Sequence, residues 1–163
     1  MKNKIFFLFL IISLIGFGKE VVELINEGVV YLKMGDYKKA IEIFEDTKRT
    51  ASQNPDIYYY LGEAYFRIGD TQKAVSNLQK AIDINPQKQS YHYTLALVYL
   101  SQNKNKEAME SLDRVLKISS LSLYGKEAER LKKELEKRNV ETEVVKKWEK
   151  IEIEEKSKKE ETI

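Results

Sequence analysis

Cysteine is absent from this 163-residue sequence, and histidine occurs only once, as His92. Without cysteine the chain cannot form a disulfide, a cysteine-based zinc site, a thiolate nucleophile or a lipid-modified cysteine behind a leader segment. A single histidine lacks the partners that acid–base or nucleophilic catalysis requires. We therefore interpret His92 as a partly buried packing residue.

Glycine and proline are also scarce, with seven and two residues. This scarcity leaves few turn-forming residues for a fold of many short strands, and it favours helices. The sequence contains no phosphate-binding glycine loop and none of the His-Glu-x-x-His or calcium-loop spacings of metal sites. The acidic run Glu152–Glu155 is interpreted as solvated surface. We therefore predict a protein that is not an enzyme and that has no cofactor and no metal site.

The first eighteen residues have the pattern of an export signal. Lys2 and Lys4 precede an apolar run at residues 5–17, and Gly16 and Gly18 supply the small residues that a signal peptidase reads. We predict a signal peptide at residues 1–18 that is cleaved, with an uncleaved membrane anchor as the alternative. Either way the protein is expected to be exported, to the periplasm or to the non-cytoplasmic side of the membrane.

The formal net charge of +2 depends on this first segment. The chain has 28 basic and 26 acidic residues, and removal of residues 1–18 takes away Lys2 and Lys4 and no acid. The remaining chain is then neutral, with 26 residues of each sign. Nucleic-acid binding needs a clustered basic surface, so we predict no nucleic-acid partner.

A period of 34 residues dominates the rest of the sequence. Five columns recur in three copies without an insertion. The columns are Gly28, Gly62 and Ala96; Tyr31, Tyr65 and Tyr99; Gly35, Gly69 and Asn103; Ala40, Ala74 and Ala108; and Phe44, Leu78 and Leu112. A fixed period of this length is typical of a repeat architecture.

The residue types in these columns fit two antiparallel helices in each repeat. Gly62 and Ala74 are small enough to let the two helices of the second copy approach closely. Gly69 suits the left-handed conformation that ends the first helix, and Asn103 is the next-best residue for it in the third copy. Asp70 can cap the helix that follows.

The pattern resembles the tetratricopeptide repeat, whose signature is W-x2-L-G-x2-Y, then A-x3-F, then P. The second copy follows it nearly throughout, from Tyr58 to Pro86. The outer copies depart from it at Leu24, Glu27 and Ser52, and at His92 and Ser120. The resemblance implies an all-α fold, an α-solenoid of three hairpins at residues 19–122, plus a C-terminal capping helix. The repeats are expected at residues 21–54, 55–88 and 89–122.

Three further segments are predicted after the repeats. Residues 123–138 are expected to form the capping helix, with an apolar stripe of Ala128, Leu131 and Leu135. Residues 139–155 form an amphipathic segment in which Val140, Val144, Trp148 and Ile151 recur at helical spacing. We predict a helix there, with a short strand at residues 150–154 as the alternative. Residues 156–163 are charged and are predicted to be disordered.

The resemblance also implies a concave groove lined by the first helix of each hairpin. The expected lining residues are Val22, Ile25, Val29 and Leu32; Asp56, Tyr59, Glu63 and Phe66; and Ser90, Tyr93, Leu97 and Leu100. Most are apolar or aromatic, and an exposed patch of this kind indicates an interaction site. Two alternatives remain open, in which the chain's own C-terminal segment fills the groove through Trp148, or a second copy packs on it.

These features predict a non-enzymatic scaffold or adaptor for protein–protein interaction in a bacterial cell envelope. Ile25 and Val29 stand where tetratricopeptide domains that clamp a C-terminal carboxylate have Lys and Asn, so the expected ligand is a partner helix or an apolar peptide. The alternative function is a self-assembling envelope protein that oligomerises through its C-terminal amphipathic segment. Apart from the N-terminal segment, no membrane contact is expected.

Overall fold

The computed structural model describes residues 20–160, and within its last helix no side chain is described at residues 140, 141, 144, 145, 148, 149 and 151–160. The predicted signal peptide at residues 1–18 lies outside the described residues, as do residues 161–163. The helices are α1 (residues 20–34), α2 (Tyr37–Thr50), α3 (Pro55–Arg67), α4 (Thr71–Ile84), α5 (Gln89–Ser101), α6 (Asn105–Ile118) and α7 (Leu123–Glu160). Between residues 20 and 160 there is no strand, which confirms the predicted all-α solenoid.

Each helix packs on the next one along the chain, and α3 also contacts α5, while α7 contacts α5 as well as α6. The first helices of the hairpins therefore lie side by side, since α1 and α3 share one apolar cluster and α3 contacts α5. Among the described helices, no close backbone contact joins the second, outer helices α2, α4 and α6 to one another. In the part of the chain that the structure describes, no helix combines the length and the hydropathy needed to cross a bilayer.

Tight turns close the hairpins at the predicted left-handed residues. The φ angles are 82° at Gly35, 83° at Gly69 and 57° at Asn103, which confirms the prediction for these three turns. In the second hairpin the amide of Asp70 donates to the carbonyl of Tyr65 at 2.9 Å, and the corresponding bonds in the other hairpins are 3.0 Å long. The turn thereby satisfies carbonyl groups at the end of the first helix.

Aspartates begin two of the outer helices. The Oδ1 atoms of Asp36 and Asp70 accept hydrogen bonds from the backbone amides of Lys39 and Lys73, both at 3.1 Å. Lys104 stands at the same place in the third hairpin, where α6 has no side-chain cap. The first two caps satisfy an amide that the helix itself leaves without a partner.

The interior of each hairpin is built from the repeated small and large residues. Ala40, Ala74 and Ala108 are fully buried on the outer helices, and so are Phe44, Leu78 and Leu112 one turn further on. Ile57, Leu61, Tyr91 and Leu95 join the hairpins to one another from the inner helices. The core is thus a row of three clusters between the inner and outer helices, with Tyr65 and Tyr99 packed between neighbouring clusters, and it leaves the inner face of α1, α3 and α5 open.

The region after the repeats differs from its predicted division. A single helix, α7, runs from Leu123 to Glu160 through the predicted cap, the amphipathic segment and the first part of the predicted disordered tail. The strand alternative at residues 150–154 is wrong, since these residues are helical. After Gly125 no glycine or proline occurs up to Glu160 to interrupt the helix. Ala128 and Leu135 are fully buried against α5 and α6, so the first part of α7 closes the core.

Candidate functional site

The candidate site is the inner face of the solenoid. Twelve residues are predicted to line it; apart from Asp56 and Ser90, Val22 is exposed and the other nine are half-buried. The half-buried ones are Ile25, Val29, Leu32, Tyr59, Glu63, Phe66, Tyr93, Leu97 and Leu100. A half-buried side chain on an open face packs on the core with one side and remains available to a ligand with the other.

The packing of these residues divides along the three hairpins. Ile25, Val29 and Leu32 of α1 lie against the cluster that contains Phe44 and Leu61. Tyr59 and Phe66 of α3 pack on the cluster around Tyr91 and Leu95. The third group, Tyr93 and Leu100 of α5, packs on the cluster around Leu112 and Leu135.

The two remaining predicted lining residues, Asp56 and Ser90, differ in their exposure. Asp56 is half-buried at the start of α3, but Ser90 is buried with 7% exposure and is not available to a ligand. The side-chain amide of Gln89 donates to the carbonyls of Val115 and Ser119 at 2.8 and 2.7 Å. These bonds hold the end of α6 against the beginning of α5, next to the buried Ser90.

Tyrosines form a group that extends from the middle of the inner face to the buried Tyr91 of the core. The ring centroids of Tyr59 and Tyr60 are 5.1 Å apart, and those of Tyr59 and Tyr91 are also 5.1 Å apart. Tyr93 lies 5.4 Å from Tyr124, which belongs to the first turn of α7. Tyr124 is close enough to Tyr59 and Tyr60 to affect their ionisation. We call these five residues the tyrosine cluster.

Three members of the tyrosine cluster were not among the predicted lining residues: Tyr60, Tyr91 and Tyr124. Tyr60 is next to a predicted position, and its ring stacks on Phe44 with centroids 5.5 Å apart. The aromatic run Tyr58–Tyr60 is a signal from which it could have been identified. Tyr124 could not have been identified in this way, because its place depends on how α7 packs against α5.

Carboxylates lie beside the tyrosine cluster. Burial raises the pKa of the Tyr59 phenol to about 12, the nearby Glu63 carboxylate adds to the rise, and a hydrogen bond with Thr94 opposes it. Burial also raises the pKa of Tyr60, followed by the effects of the Asp56 and Glu63 carboxylates. The charged groups that act on these two phenols are therefore acidic.

One of these carboxylates is already engaged. The hydroxyl of Tyr91 donates to Oδ1 of Asp56 at 2.5 Å, which joins α5 to the first turn of α3. Burial, and then this hydrogen bond, raise the pKa of Tyr91 above its ordinary value. Asp56 therefore helps to fix the spacing of the two inner helices.

Glu63 is in a different situation. Its side chain is 23% exposed, and its carboxylate lies 3.9 Å from the guanidinium of Arg67, which is itself 56% exposed. That distance is at the outer limit of an ion pair, and an exposed pair of this kind contributes little. The carboxylate of Glu63 is thus held in the centre of the inner face with a weak partner.

The outer side of the solenoid carries a separate cavity of about 800 Å³ between α4, α5 and α6. His92 is one of its lining residues and is buried, with Nε2 2.9 Å from the carbonyl oxygen of Pro86. One repeat earlier the hydroxyl of Tyr58 donates to the carbonyl of Ser52 at 2.9 Å. His92 therefore makes the packing contact of a repeat position, as predicted. Among the described residues no group of His, Asp and Glu could hold a metal ion.

A family model described as "Anaphase-promoting complex, cyclosome, subunit 3", which is of the tetratricopeptide type, matches residues 33–115. No curated protein matches the sequence.

Several solved structures are similar to the fold. The first tetratricopeptide domain of Spaghetti (RPAP3) bound to the HSP90 peptide SRMEEVD is 20% identical, with a TM-score of 0.68, over 75% of this chain and 94% of that one. The TPR2B domain of yeast Sti1 in its Hsp70 complex is 17% identical, with a TM-score of 0.69, over 74% and 98%. MamA from Desulfovibrio magneticus RS-1 is 25% identical, with a TM-score of 0.57, over 65% and 68%.

Proposed function

The chain belongs to the family of tetratricopeptide repeats that this model describes, and on that premise we propose that it is a non-enzymatic scaffold for protein–protein interaction. The observation that carries the proposal is the open inner face, where half-buried apolar and aromatic side chains continue across three hairpins. Aromatic residues held rigidly on helices are typical anchors of protein interfaces. Structures with the same fold include complexes with peptides.

The proposed ligand is an apolar segment of a partner protein, such as one face of a helix. The peptide SRMEEVD in the RPAP3 complex is acidic. In this chain Ile25 and Val29 are apolar, and Glu63 places a negative charge in the middle of the inner face. An acidic peptide would meet repulsion there, whereas apolar side chains would cover the walls of α1 and α5.

The proposed location is the bacterial cell envelope, outside the cytoplasm. The proposal is supported by Lys2, Lys4 and the apolar run at residues 5–17. A mass measurement on the exported protein tests it, because loss of residues 1–18 gives a mass lower by that segment. A full-length product that remains in the cytoplasm would refute export.

Site-specific photocrosslinking tests the inner face as the binding surface. A photoreactive amino acid is placed at Val22 or at Leu97 on the inner face, and at Lys80, which is exposed on α4, as the matched control. We expect the same partner to be captured at Val22 and Leu97 and not at Lys80. Capture of that partner with equal yield at all three positions would overturn the assignment. Circular dichroism on each variant establishes that it is folded.

Self-assembly is a second candidate function, and the continuity of α7 favours it. Leu135 packs on the solenoid, and Val144 follows nine residues later, which is two and a half helical turns. The position of Val144 in the helix is therefore on the opposite side from the face that packs on α5 and α6. The alternative in which Trp148 fills the groove stays a prediction, because the structure does not describe the side chain of Trp148. Light scattering with and without residues 140–163 decides this candidate, since a monomer in both forms rules it out.

A further inference from the structure

Glu63 gives the centre of the inner face a chemical preference. It belongs to the middle helix of the three that line the groove, and among the described residues its ion-pair partner is the exposed Arg67 at 3.9 Å. We propose that the groove selects a partner segment with a Lys or Arg side chain at its centre, seated on Glu63 against the tyrosine cluster, with apolar residues on both sides. This inference rests on the proposed function and states the chemistry of the ligand.

The charges beside Tyr59 and Tyr60 in the centre of the inner face are unbalanced. Glu127 is held by Arg130, whose Nε lies 3.2 and 3.1 Å from the two carboxylate oxygens, and Arg130 also lies 3.7 Å from Glu134. Arg67 is the corresponding cation beside Glu63. The charged groups that act on the phenols of Tyr59 and Tyr60 are Asp56 and Glu63, and both are carboxylates. An incoming cation therefore complements the field of this surface, and an incoming carboxylate does not.

Glu63 is the carboxylate that can accept the incoming cation. Asp56 already accepts the hydroxyl of Tyr91 at 2.5 Å, and Glu127 is paired with Arg130 in a bidentate arrangement. The partner of Glu63 is Arg67, which is one helical turn away on α3 and whose side chain is 56% exposed, against 23% for Glu63. Exchange of this intramolecular pair for an intermolecular one would cost little, because an exposed pair at this distance contributes little.

The tyrosine cluster adds a second attraction for a cation. Tyr59 and Tyr60 are adjacent on α3, and Tyr124 of α7, whose ring contacts that of Tyr93, is close enough to act on their ionisation. The negative face of an aromatic ring attracts an ammonium or guanidinium group, and the attraction is larger where water is partly excluded. Carboxylate and aromatic rings at one place are thus suited to a Lys or Arg side chain.

Apolar walls on either side define the rest of the ligand. Ile25, Val29 and Leu32 lie on α1, and Leu97 and Leu100 lie on α5, all of them half-buried. Apolar side chains that precede and follow the central cation would cover these walls. The ligand is therefore an amphipathic segment whose apolar face is interrupted by one positive charge.

Three synthetic helical peptides rich in leucine and alanine test the inference. They are identical except for a central Lys, norleucine or Glu, and their dissociation constants for the full chain are measured by fluorescence anisotropy. We expect the Lys peptide to bind about tenfold more tightly than the norleucine peptide and the Glu peptide to bind least. Added salt should weaken the binding of the Lys peptide and leave the binding of the norleucine peptide nearly unchanged.

Glu63→Gln is the decisive variant because it removes the charge and keeps the shape. The Lys and norleucine peptides should then bind with affinities that agree within about twofold. Glu110→Gln, on α6 at the outer cavity, is the matched control and should keep the full preference for the Lys peptide over the norleucine peptide. Equal binding of Lys and norleucine peptides to the wild-type chain, or a preference that survives Glu63→Gln, would overturn the inference while leaving the groove as an apolar binding site. If none of the peptides binds, the proposed groove function fails as well.

Discussion

Gly62 determines how closely α3 approaches α4. A Cβ atom at this position would lie 2.6 Å from Cγ of Leu78 and 3.2 Å from the carbonyl oxygen of Ala74. Leu78 is fully buried, and Cγ is the branch point of its side chain, so it cannot move away easily. Glycine is needed at this position because a side chain would not fit between the two helices. Its backbone has an ordinary helical conformation.

The prediction for Gly62→Ala follows from this contact. Overpacking a tight interior costs about 1–3 kcal/mol, and the better helix propensity of alanine returns about 0.5–1 kcal/mol. We therefore expect a net loss of roughly 1–2 kcal/mol in the free energy of unfolding, measured by urea denaturation. Ser76→Ala, at an exposed position of α4, is the control and should be neutral or slightly stabilising. A Gly62→Ala chain as stable as the wild type would show that α3 and α4 can separate at no cost.

At the scale of the element, the turn between α3 and α4 depends on backbone conformation alone. Gly69 has a φ of 83°, and an added Cβ would have no atom within 4 Å. Gly69→Ala is therefore expected to lower the free energy of unfolding by about 1 kcal/mol, which is the cost of a left-handed conformation for a residue with a side chain. Thermal and urea denaturation measure the change.

Gly69→Asn provides the control for this turn, because Asn103 has a φ of 57° at the same place in the third hairpin. Asparagine tolerates the left-handed region better than alanine does. Gly69→Asn should therefore keep most of the free energy of unfolding that Gly69→Ala loses. If the alanine and asparagine variants were equally destabilised, the cost would have to come from another source than backbone strain.

The first part of α7 is expected to behave as part of the core. Leu135 is fully buried against α5 and α6, whereas Leu123 at the start of the same helix is 82% exposed. Leu135→Ala should lower the free energy of unfolding by about 2–5 kcal/mol through lost burial and a cavity. Leu123→Ala is the matched control and should change it by less than about 0.5 kcal/mol. A similar small effect at both positions would mean that the solenoid folds without α7.

The helices and turns of the repeats could be predicted because the residues that determine them are close in sequence. Gly35, Gly69 and Asn103 have the predicted conformation, and the aspartate caps follow directly after the two glycines. The division of α7 could not be predicted in the same way. The capping helix and the amphipathic segment after it were predicted as two segments, although no glycine or proline after Gly125 interrupts the helix up to Glu160.

At the scale of the whole molecule, prediction of the site depended on contacts between distant parts of the chain. The repeat pattern identified Tyr59 and Tyr93 as positions on the inner face, and both are half-buried there. It could not show that Tyr124 lies 5.4 Å from Tyr93, because that contact depends on the packing of α7. Nor could it show that Ser90 is buried beside the contact of Gln89 with the end of α6. Periodicity predicts which positions face inward, and tertiary packing determines which of them remain accessible.

The tyrosines make the stability of the whole solenoid sensitive to alkaline pH. Burial is the first cause of the raised pKa of Tyr59, Tyr60, Tyr91 and Tyr93 in the folded chain. Unfolding returns each phenol to the ordinary pKa of about 10. Because the pKa of each phenol is higher in the folded chain, the contribution of the protonated phenol to the free energy of unfolding is fully present below about pH 10. It is lost as the pH rises through the folded pKa. For Tyr59 that loss extends to about pH 12.

Tyr59→Phe isolates this effect from other groups that titrate in the same range. Lys73, for example, has a raised pKa because it pairs with Asp70, and it loses its stabilising effect in the same direction. We expect the free energy of unfolding of the wild type to fall between about pH 10 and pH 12, and the fall to be smaller in Tyr59→Phe. Urea denaturation at each pH, with phenolate absorbance as a second signal, measures both. Tyr37→Phe, a half-buried tyrosine of α2 outside the tyrosine cluster, should show the wild-type fall. An identical fall in Tyr59→Phe and the wild type would mean that the inner face is hydrated well enough to accept a phenolate, which would also weaken the case for a partly dehydrated cation site beside Glu63.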